Sequence, residues 1–316
     1  MQNESQKKYE LVIIGGGPAG SAAAVYAGRK KINTLVIKKE WGGQSVVSPD
    51  IHNWIGSKSI AGDKLASDLK EHVENYKSDI LEIADDEVIK IDKESTGGFL
   101  VTGKSGKTYQ TKTILITSGS VRRKLNIPGA DHLEHKGLTY CASCDGLFFA
   151  GMDVVVVGAG NAGFESAQQL LAYCKSVTIL VRTENIRADE LTVEAVKKHP
   201  NAKILLNTES VEVIGEKKVE GLKIKNVVTG AEDTLNVQGI FVEIGQIPNT
   251  KFAEGLVNID KIGKIEIDPW TQKTSESGIW AAGDCTNIRY HQNNIAAGDG
   301  VKALEDIYQF IKTNLS

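Results

Sequence analysis

At 316 residues the chain has room for two domains of ordinary size, and its 41% hydrophobic and 24% charged residues are the balance of a soluble globular protein. A formal net charge of −3 supplies no basic field for nucleic acid or anionic lipid, so a small molecule or a protein is the expected partner. No apolar run reaches the ~18 residues of a membrane span, and the start, MQNESQKKYE, has no leader core. A cytoplasmic location is therefore expected, where Cys141, Cys144, Cys174 and Cys285 stay reduced unless an enzyme cycles them.

The apolar run Leu11 to Ile14 predicts a buried strand. GGGPAG predicts a turn, and the Ala-rich stretch after it a helix leading to a strand over Thr34 to Ile37. Mixed charge with spaced Leu and Val predicts a solvated helix over Lys64 to Tyr76. The period then shifts from 3.6 towards 2, which predicts short antiparallel strands near Glu87 to Asp92, Gly98 to Thr102 and Lys107 to Gln110, closed by ILITSG at 114–119. About 143 residues on, the order repeats. Val154 to Val157 is followed by GAGNAG, a helix from Phe164 to about Tyr173 and a strand over Val177 to Val181. Strands near Ala202 to Leu206, Val211 to Ile214 and Leu222 to Val228 come next, closed by GIFVEIG at 239–245. This internal repeat predicts an α/β chain with two Rossmann-like, three-layer ββα dinucleotide-binding domains. The tail from about 250, with GIWAA and a helix near Ala296 to Ile311, is too little to fold alone and is expected to complete the first domain. The expected domains are thus 1–117 with 250–316, and 118–249.

Gly15, Gly17 and Gly20 form G-x-G-x-x-G between a strand and a helix, and Gly158, Gly160 and Gly163 repeat it. The first glycine permits the tight turn, the second lets the backbone approach a pyrophosphate, and the third lets helix and strand pack closely. Two such turns predict two dinucleotides. At the end of the second strand of the second block, LVRTENIRAD offers Arg182 and Arg187 and no acid at Val181, which favours the 2′-phosphate of NADPH over NADH. The equivalent VIKKEWGGQ has lysines where the acid would stand and Glu40 slightly late, so the first site is not a standard NAD pocket.

Between the blocks lies TYCASCDGLFF, residues 139–149. Its C-x-x-C spacing alone fits half a zinc site, a structural crosslink or a redox pair. Cys174 and Cys285 lack close partners that would complete four zinc ligands and read as packing thiols; His52, His132, His135 and His291 show no ligand spacing and read as polar surface.

Taken in order, GGGPAG, EWGGQ, TYCASCDG, VVGAGNAGFE, GIFVEIGQIPNT, AAGDC and YHQ make the whole chain resemble the low-molecular-weight thioredoxin reductases. The likeness is as close to the reductase portion of the alkyl hydroperoxide reductase flavoprotein subunit. The resemblance implies FAD in the first domain and a nicotinamide in the second; the expected partner is a thioredoxin or a thioredoxin- or glutaredoxin-like protein, and a homodimer is expected. Gly15, Gly17, Pro18, Ala19 and Gly20 would hold the FAD pyrophosphate, with Glu40, Gly43, Gln44, Asn53 and Gly119 also in that site. Val88 would approach the adenine, Asp284 the ribityl and phosphate region, and Gln292 the isoalloxazine. Gly158, Gly160, Asn161, Ala162, Gly163 and Glu165 would hold the nicotinamide dinucleotide together with Arg182 and Arg187.

The same resemblance implies that NADPH reduces FAD, the flavin reduces a Cys141–Cys144 disulfide, and the dithiol reduces the partner. Cys144 would face the flavin, Cys141 would attack the substrate disulfide, and Asp145 would act as general acid and base. Alternating access would need rotation of the second domain about hinges near Ser118 to Ser120 and Gly245 to Asn249. Thr183 stands where NADPH-dependent relatives carry one more arginine, which keeps open an NADH- or ferredoxin-dependent reductase of a peroxiredoxin-reducing partner. No thioredoxin-like extension precedes the first strand, so such a partner is expected to be a separate protein. An oxygen-using dithiol oxidase and a non-catalytic redox-sensing or zinc module are the remaining alternatives, and no metal is expected.

Overall fold

The run KYELVIIGG forms strand β1 (Lys8–Gly16), in which Leu11, Val12 and Ile13 are wholly buried. Burial on both faces of a strand is the mark of a sheet covered on both sides. The computed structural model describes residues 7–48, 51–95 and 97–314, so the first six residues of the expected leaderless start lie outside the described residues. The chain divides into two units, one drawn from 1–49, 54–121 and 247–316 and the other from 50–53 and 122–246.

In the first unit β1 leads to α1 (Pro18–Lys30), β2 (Thr34–Trp41), α2 (Gly62–Glu74), β3 (Leu81–Asp85), β4 (Val88–Lys93), β5 (Phe99–Gly103) and β6 (Thr108–Ile116). The order β3-β2-β1-β6 is parallel, whereas β6-β5-β4 is an antiparallel meander. The stretches Lys107 to Gln110 and 114–119, expected as separate strands, are mostly one. The first part of β6 pairs with β5 and its end continues the parallel sheet. Helix α2 is not solvated all round, because Leu65 and Val73 lie in the core.

The second unit begins in β7 (Ser120–Arg122) and runs through α3 (Ala130–Leu133), β8 (Leu138–Thr139), α4 (Ala142–Asp145), β9 (Asp153–Val157), α5 (Asn161–Leu171), β10 (Ser176–Leu180), α6 (Glu190–Lys197) and β11 (Ala202–Leu205). It continues through β12 (Thr208–Ile214), β13 (Gly221–Asn226), β14 (Glu232–Leu235) and β15 (Gly239–Val242) to β16 (Gln246–Pro248). A parallel sheet of order β11-β10-β9-β15-β8 lies beside an antiparallel β12-β13-β14 sheet. Ala202 to Leu206 therefore belongs to the parallel sheet as β11, not to the meander as expected, and β14 is the third meander strand. The helix expected to run to about Tyr173 ends at Leu171, and Cys174 lies just past it.

The chain returns to the first unit through β17 (Ile279–Ala281), which pairs with the end of β6, and closes in α7 (Asn293–Asn314). Helix α7 packs on α1 at close range because both carry small residues there. A side chain at Gly300 would collide with the Ala19 carbonyl, and Ala23, Ala24 and Ala27 are fully buried. Both units are Rossmann-like. The second is a few residues shorter at each end than 118–249, and the residues there pair with one another: β7 pairs with β16, Ser118 Oγ donates to the Asn249 carbonyl at 2.6 Å, and Asn249 Nδ2 donates back at 3.0 Å. Among the described residues no helix is long and apolar enough to cross a membrane.

Candidate active site

The two glycine turns have the same construction. Gly15 and Gly158 take φ of 123° and 128°, which a side chain rarely tolerates, and a Cβ on either would strike a backbone carbonyl, Thr117 in one unit and Glu243 in the other. A Cβ on Gly20 or Gly163 would strike the carbonyl of the first glycine of its own turn, whereas Gly17 and Gly160 face open space. The middle glycine is thus the one that leaves room for a ligand. No side chain caps α1 or α5, so their first N–H groups are available to an anion.

In the first unit this turn opens into a cleft of about 790 Å³. Gly15, Gly17, Pro18, Ala19, Glu40, Gly43, Gln44, Val88, Gly119 and Asp284 line it, together with Thr117, Ser118, Asn293 and Ala296. The open space over Gly17 and the buried wall at Val88 fit an extended dinucleotide such as FAD. Gly20 sits behind the lining, and Gln292 precedes α7 with its carbonyl accepting from Ala296 N at 2.9 Å. Asn53 lies in the short segment that groups with the second unit.

Around the second turn, Asn161 Oδ1 accepts from Asp189 N at 2.8 Å and the Arg187 amide donates to the Ala159 carbonyl at 3.3 Å, which ties the loop that carries Arg182 and Arg187 to the turn. Arg182 and Arg187 are exposed, and among the described residues neither makes an ion pair. Thr183 Oγ1 donates to the Asn185 carbonyl at 2.8 Å. Ala162 is exposed on the first turn of α5 and Glu165 is exposed one turn further on. Behind the turn stands Glu243, which gave no signal inside the apolar run GIFVEIG. Its carboxylate accepts from Ser166 Oγ at 2.7 Å and lies 3.6 Å from Arg122, and burial pushes its pKa up against both partners.

Cys141 and Cys144 form a disulfide with Cα atoms 5.3 Å apart, spanning the single turn of α4. Cys144 N donates to Cys141 Sγ at 3.2 Å, and Asp145 N donates to the Cys141 carbonyl at 3.1 Å. Gln169 of α5 anchors the turn, accepting from Ser143 Oγ at 3.0 Å and donating to the Ala142 carbonyl at 3.3 Å. Asp145 is half-buried. Its Oδ2 accepts from Thr139 Oγ1, while its Oδ1 has no hydrogen-bond partner among the described residues. Burial raises its pKa against the opposing effects of Thr139, His135 and Arg122.

A family described as "Pyridine nucleotide-disulphide oxidoreductase" matches residues 9–300. The chain belongs to that family. Relatives of this pyridine nucleotide-disulphide oxidoreductase include an alkyl hydroperoxide reductase component of Escherichia coli, 36% identical over 304 residues, which are 96% of this chain and 58% of the relative. An NADH dehydrogenase of Bacillus subtilis is 35% identical over 309 residues, 98% of this chain and 60% of the relative. The chain thus spans about 60% of the length of these curated relatives. Among solved structures, thioredoxin reductase of Streptococcus pyogenes superposes with a TM-score of 0.88 at 32% identity over 98% of this chain and 100% of that one. That of Giardia duodenalis gives 0.90 at 30% identity over the same shares.

The oxidoreductase's other two cysteines lie apart from the disulfide. Cys174 and Cys285 are free and buried, and burial pushes both thiols up to about 11. After reduction at neutral pH, iodoacetamide is expected to alkylate Cys141 and Cys144 and spare Cys174 and Cys285. Peptide mass spectrometry counts the adducts, and rapid labelling of all four cysteines would contradict this arrangement. His291, expected as surface, is largely buried beside Asp284 and Lys264, with a side-chain exposure of 17%.

Proposed function

We propose that the chain is a flavin-dependent disulfide reductase that passes electrons from NADPH, through Cys141 and Cys144, to the disulfide of a thioredoxin-like protein. The observation that carries this reading is the joining, in one chain, of two open glycine turns with a C-x-x-C disulfide whose next residue is a partly desolvated acid. Gly15 to Gly20, Glu40, Gly43, Gln44, Val88, Gly119 and Asp284 would hold FAD, and Gly158 to Gly163 with Arg182 and Arg187 the nicotinamide nucleotide. When bound, FAD supplies a two-electron relay between nicotinamide and disulfide.

Two electrons and two protons convert the Cys141–Cys144 disulfide to a dithiol. The Cys141 thiolate then attacks one sulfur of the partner's disulfide, and the displaced thiolate takes a proton, for which Asp145 is the donor at hand. The Cys144 thiolate next attacks Cys141 in the mixed disulfide, which restores the intramolecular bond and releases the partner as a dithiol. The Cys144 N–H donated to Cys141 Sγ stabilises negative charge on the attacking sulfur. Exposed Leu147 (65%) and Phe148 (50%) beside the pair favour a protein over a small disulfide as acceptor. The resemblance to thioredoxin reductases is the ground for a homodimer.

A second reading, NADH as donor and a peroxiredoxin-reducing partner, is favoured by one feature. Glu184, Glu190 and Glu194 line a hollow beside the arginine loop, and although Lys197 there pairs with Glu194 at 3.4 Å, Glu184 and Glu190 would oppose a 2′-phosphate. Anaerobic stopped-flow mixing of the purified yellow protein with NADPH and NADH separates the two. Bleaching of the flavin absorbance is expected to be faster with NADPH. Faster bleaching with NADH moves the assignment to the second reading, and bleaching by neither points to another donor such as ferredoxin. A colourless protein that takes up no flavin sinks both.

A further inference from the structure

Asp284 lines the first-unit cleft, and behind it stands a chain of polar groups that no glycine motif announces. Its Oδ1 lies 3.3 Å from Nδ1 of His291, and the other ring nitrogen, Nε2, lies 2.6 Å from Nζ of Lys264. A lysine ammonium can only donate and a carboxylate can only accept, so the directions are fixed. Lys264 donates to Nε2, which holds the ring in the tautomer whose Nδ1 proton is given to Asp284.

The backbone puts Lys264 in place from 27 residues away. Asp260 Oδ1 accepts from the amides of Ile262 and Lys264, each at 2.9 Å, which closes a tight turn. The next residue, Ile265, is fully buried and bonds the returning chain on both sides, donating to the Cys285 carbonyl at 2.9 Å and accepting from Asn287 at 3.0 Å. Lys264 is thereby fixed alongside Asp284. Burial lowers the pKa of Lys264, and Asp284 and Asp260 oppose this; the Cys285 thiol is the remaining group that faces it. Part of the cost of placing an ammonium there is met by its bond to the ring and by the two carboxylates.

Oδ2 of Asp284 takes no hydrogen bond among the described residues. An aspartate facing a cleft built for a pyrophosphate also needs positive charge nearby, since two anions in one cleft repel. We infer that Lys264 and His291 are positioning residues for the bound flavin nucleotide, holding Asp284 with its free oxygen towards a hydroxyl of that group and balancing its charge. This rests on the reading of the cleft as an FAD site.

The test is FAD affinity, read on the whole chain from the flavin fluorescence that returns as the holoprotein is diluted. Lys264→Met, His291→Phe and Asp284→Asn are each expected to raise the Kd for FAD about tenfold, the scale of one hydrogen bond to a charged group. Adding Lys264→Met to Asp284→Asn should change Kd less than about twofold, because the relay acts only through Asp284. Lys264→Arg, which keeps donor and charge, should stay within about threefold of wild type. Singles that leave Kd unchanged, or losses that multiply in the double variant, overturn the inference. Lys264→Met alters a partly exposed side chain and keeps the test open if His291→Phe fails to fold. Wild-type protein that binds no FAD would instead overturn the flavin reading itself.

Discussion

Cys144→Ser is expected to abolish disulfide turnover, by on the order of a thousandfold or more, while leaving nicotinamide-driven bleaching of the flavin intact. The reason is stoichiometric. With one sulfur gone, no intramolecular disulfide can store an electron pair. Cys141 can still attack a partner's disulfide, yet no thiolate remains to resolve the product. The single turn of α4 holds the two Cα atoms 5.3 Å apart, and no other cysteine can substitute, since Cys174 and Cys285 are buried with thiols raised to about 11. The variant should therefore accumulate a stable mixed disulfide with an oxidised thioredoxin-type partner, visible by intact mass and reversed by dithiothreitol. Cys174→Ala, which alters a buried thiol that donates to the Phe149 carbonyl at 3.3 Å, should turn over as wild type. Full activity of Cys144→Ser would mean that electrons reach the acceptor by another route.

The parts of this molecule that read clearly from sequence are those whose chemistry is local. Gly15 and Gly158 are dictated by their own backbone angle, and the strand, turn and helix around each are contiguous, so the repeat and both nucleotide folds could be seen in one pass. Strand partners are not local. Ala202 to Leu205 looks like any short apolar strand, and only its alignment beside Val177 to Leu180 makes it parallel. Lys107 to Gln110 and 114–119 looked separate because the partner of β6 changes from β5 to β17 along its length, and with it the burial pattern. The polar groups behind the two sites were invisible for the same reason. Glu243 finds Ser166 from 77 residues away, inside a run whose neighbours are apolar. His291 has no ligand spacing with any other histidine because its partners are a lysine and an aspartate brought in by the Ile265 pairing. A lone charged residue directly after a wholly buried strand, as Glu243 follows β15, is the one signal that could have marked such a position.

Asp145→Asn is expected to slow thiol-disulfide exchange about a hundredfold, the range of a lost general acid, and to change its pH profile. Burial raises the pKa of this carboxyl, so it keeps its proton to a higher pH than an ordinary aspartic acid and remains able to donate to a departing thiolate. As pH rises through that pKa the proton is lost, and wild-type exchange should decline on the alkaline side of this step relative to the growth expected from thiolate formation alone. Asparagine fits the same space without titrating, so the variant should follow thiolate formation only. Thr139→Val removes the hydroxyl that donates to Oδ2 and favours the charged form; it should move the decline to higher pH. Stability supplies the opposing sign. A carboxyl whose pKa is raised on folding contributes least once pH exceeds the folded value, because the buried group must then carry charge. Asp145→Asn should therefore raise the melting temperature at neutral pH and lose that advantage in acid, where the wild-type carboxyl is neutral too. Slower exchange in a more heat-stable protein would identify Asp145 as an acid kept for chemistry at the expense of the fold. Unchanged exchange would leave it as a turn residue with no part in the reaction.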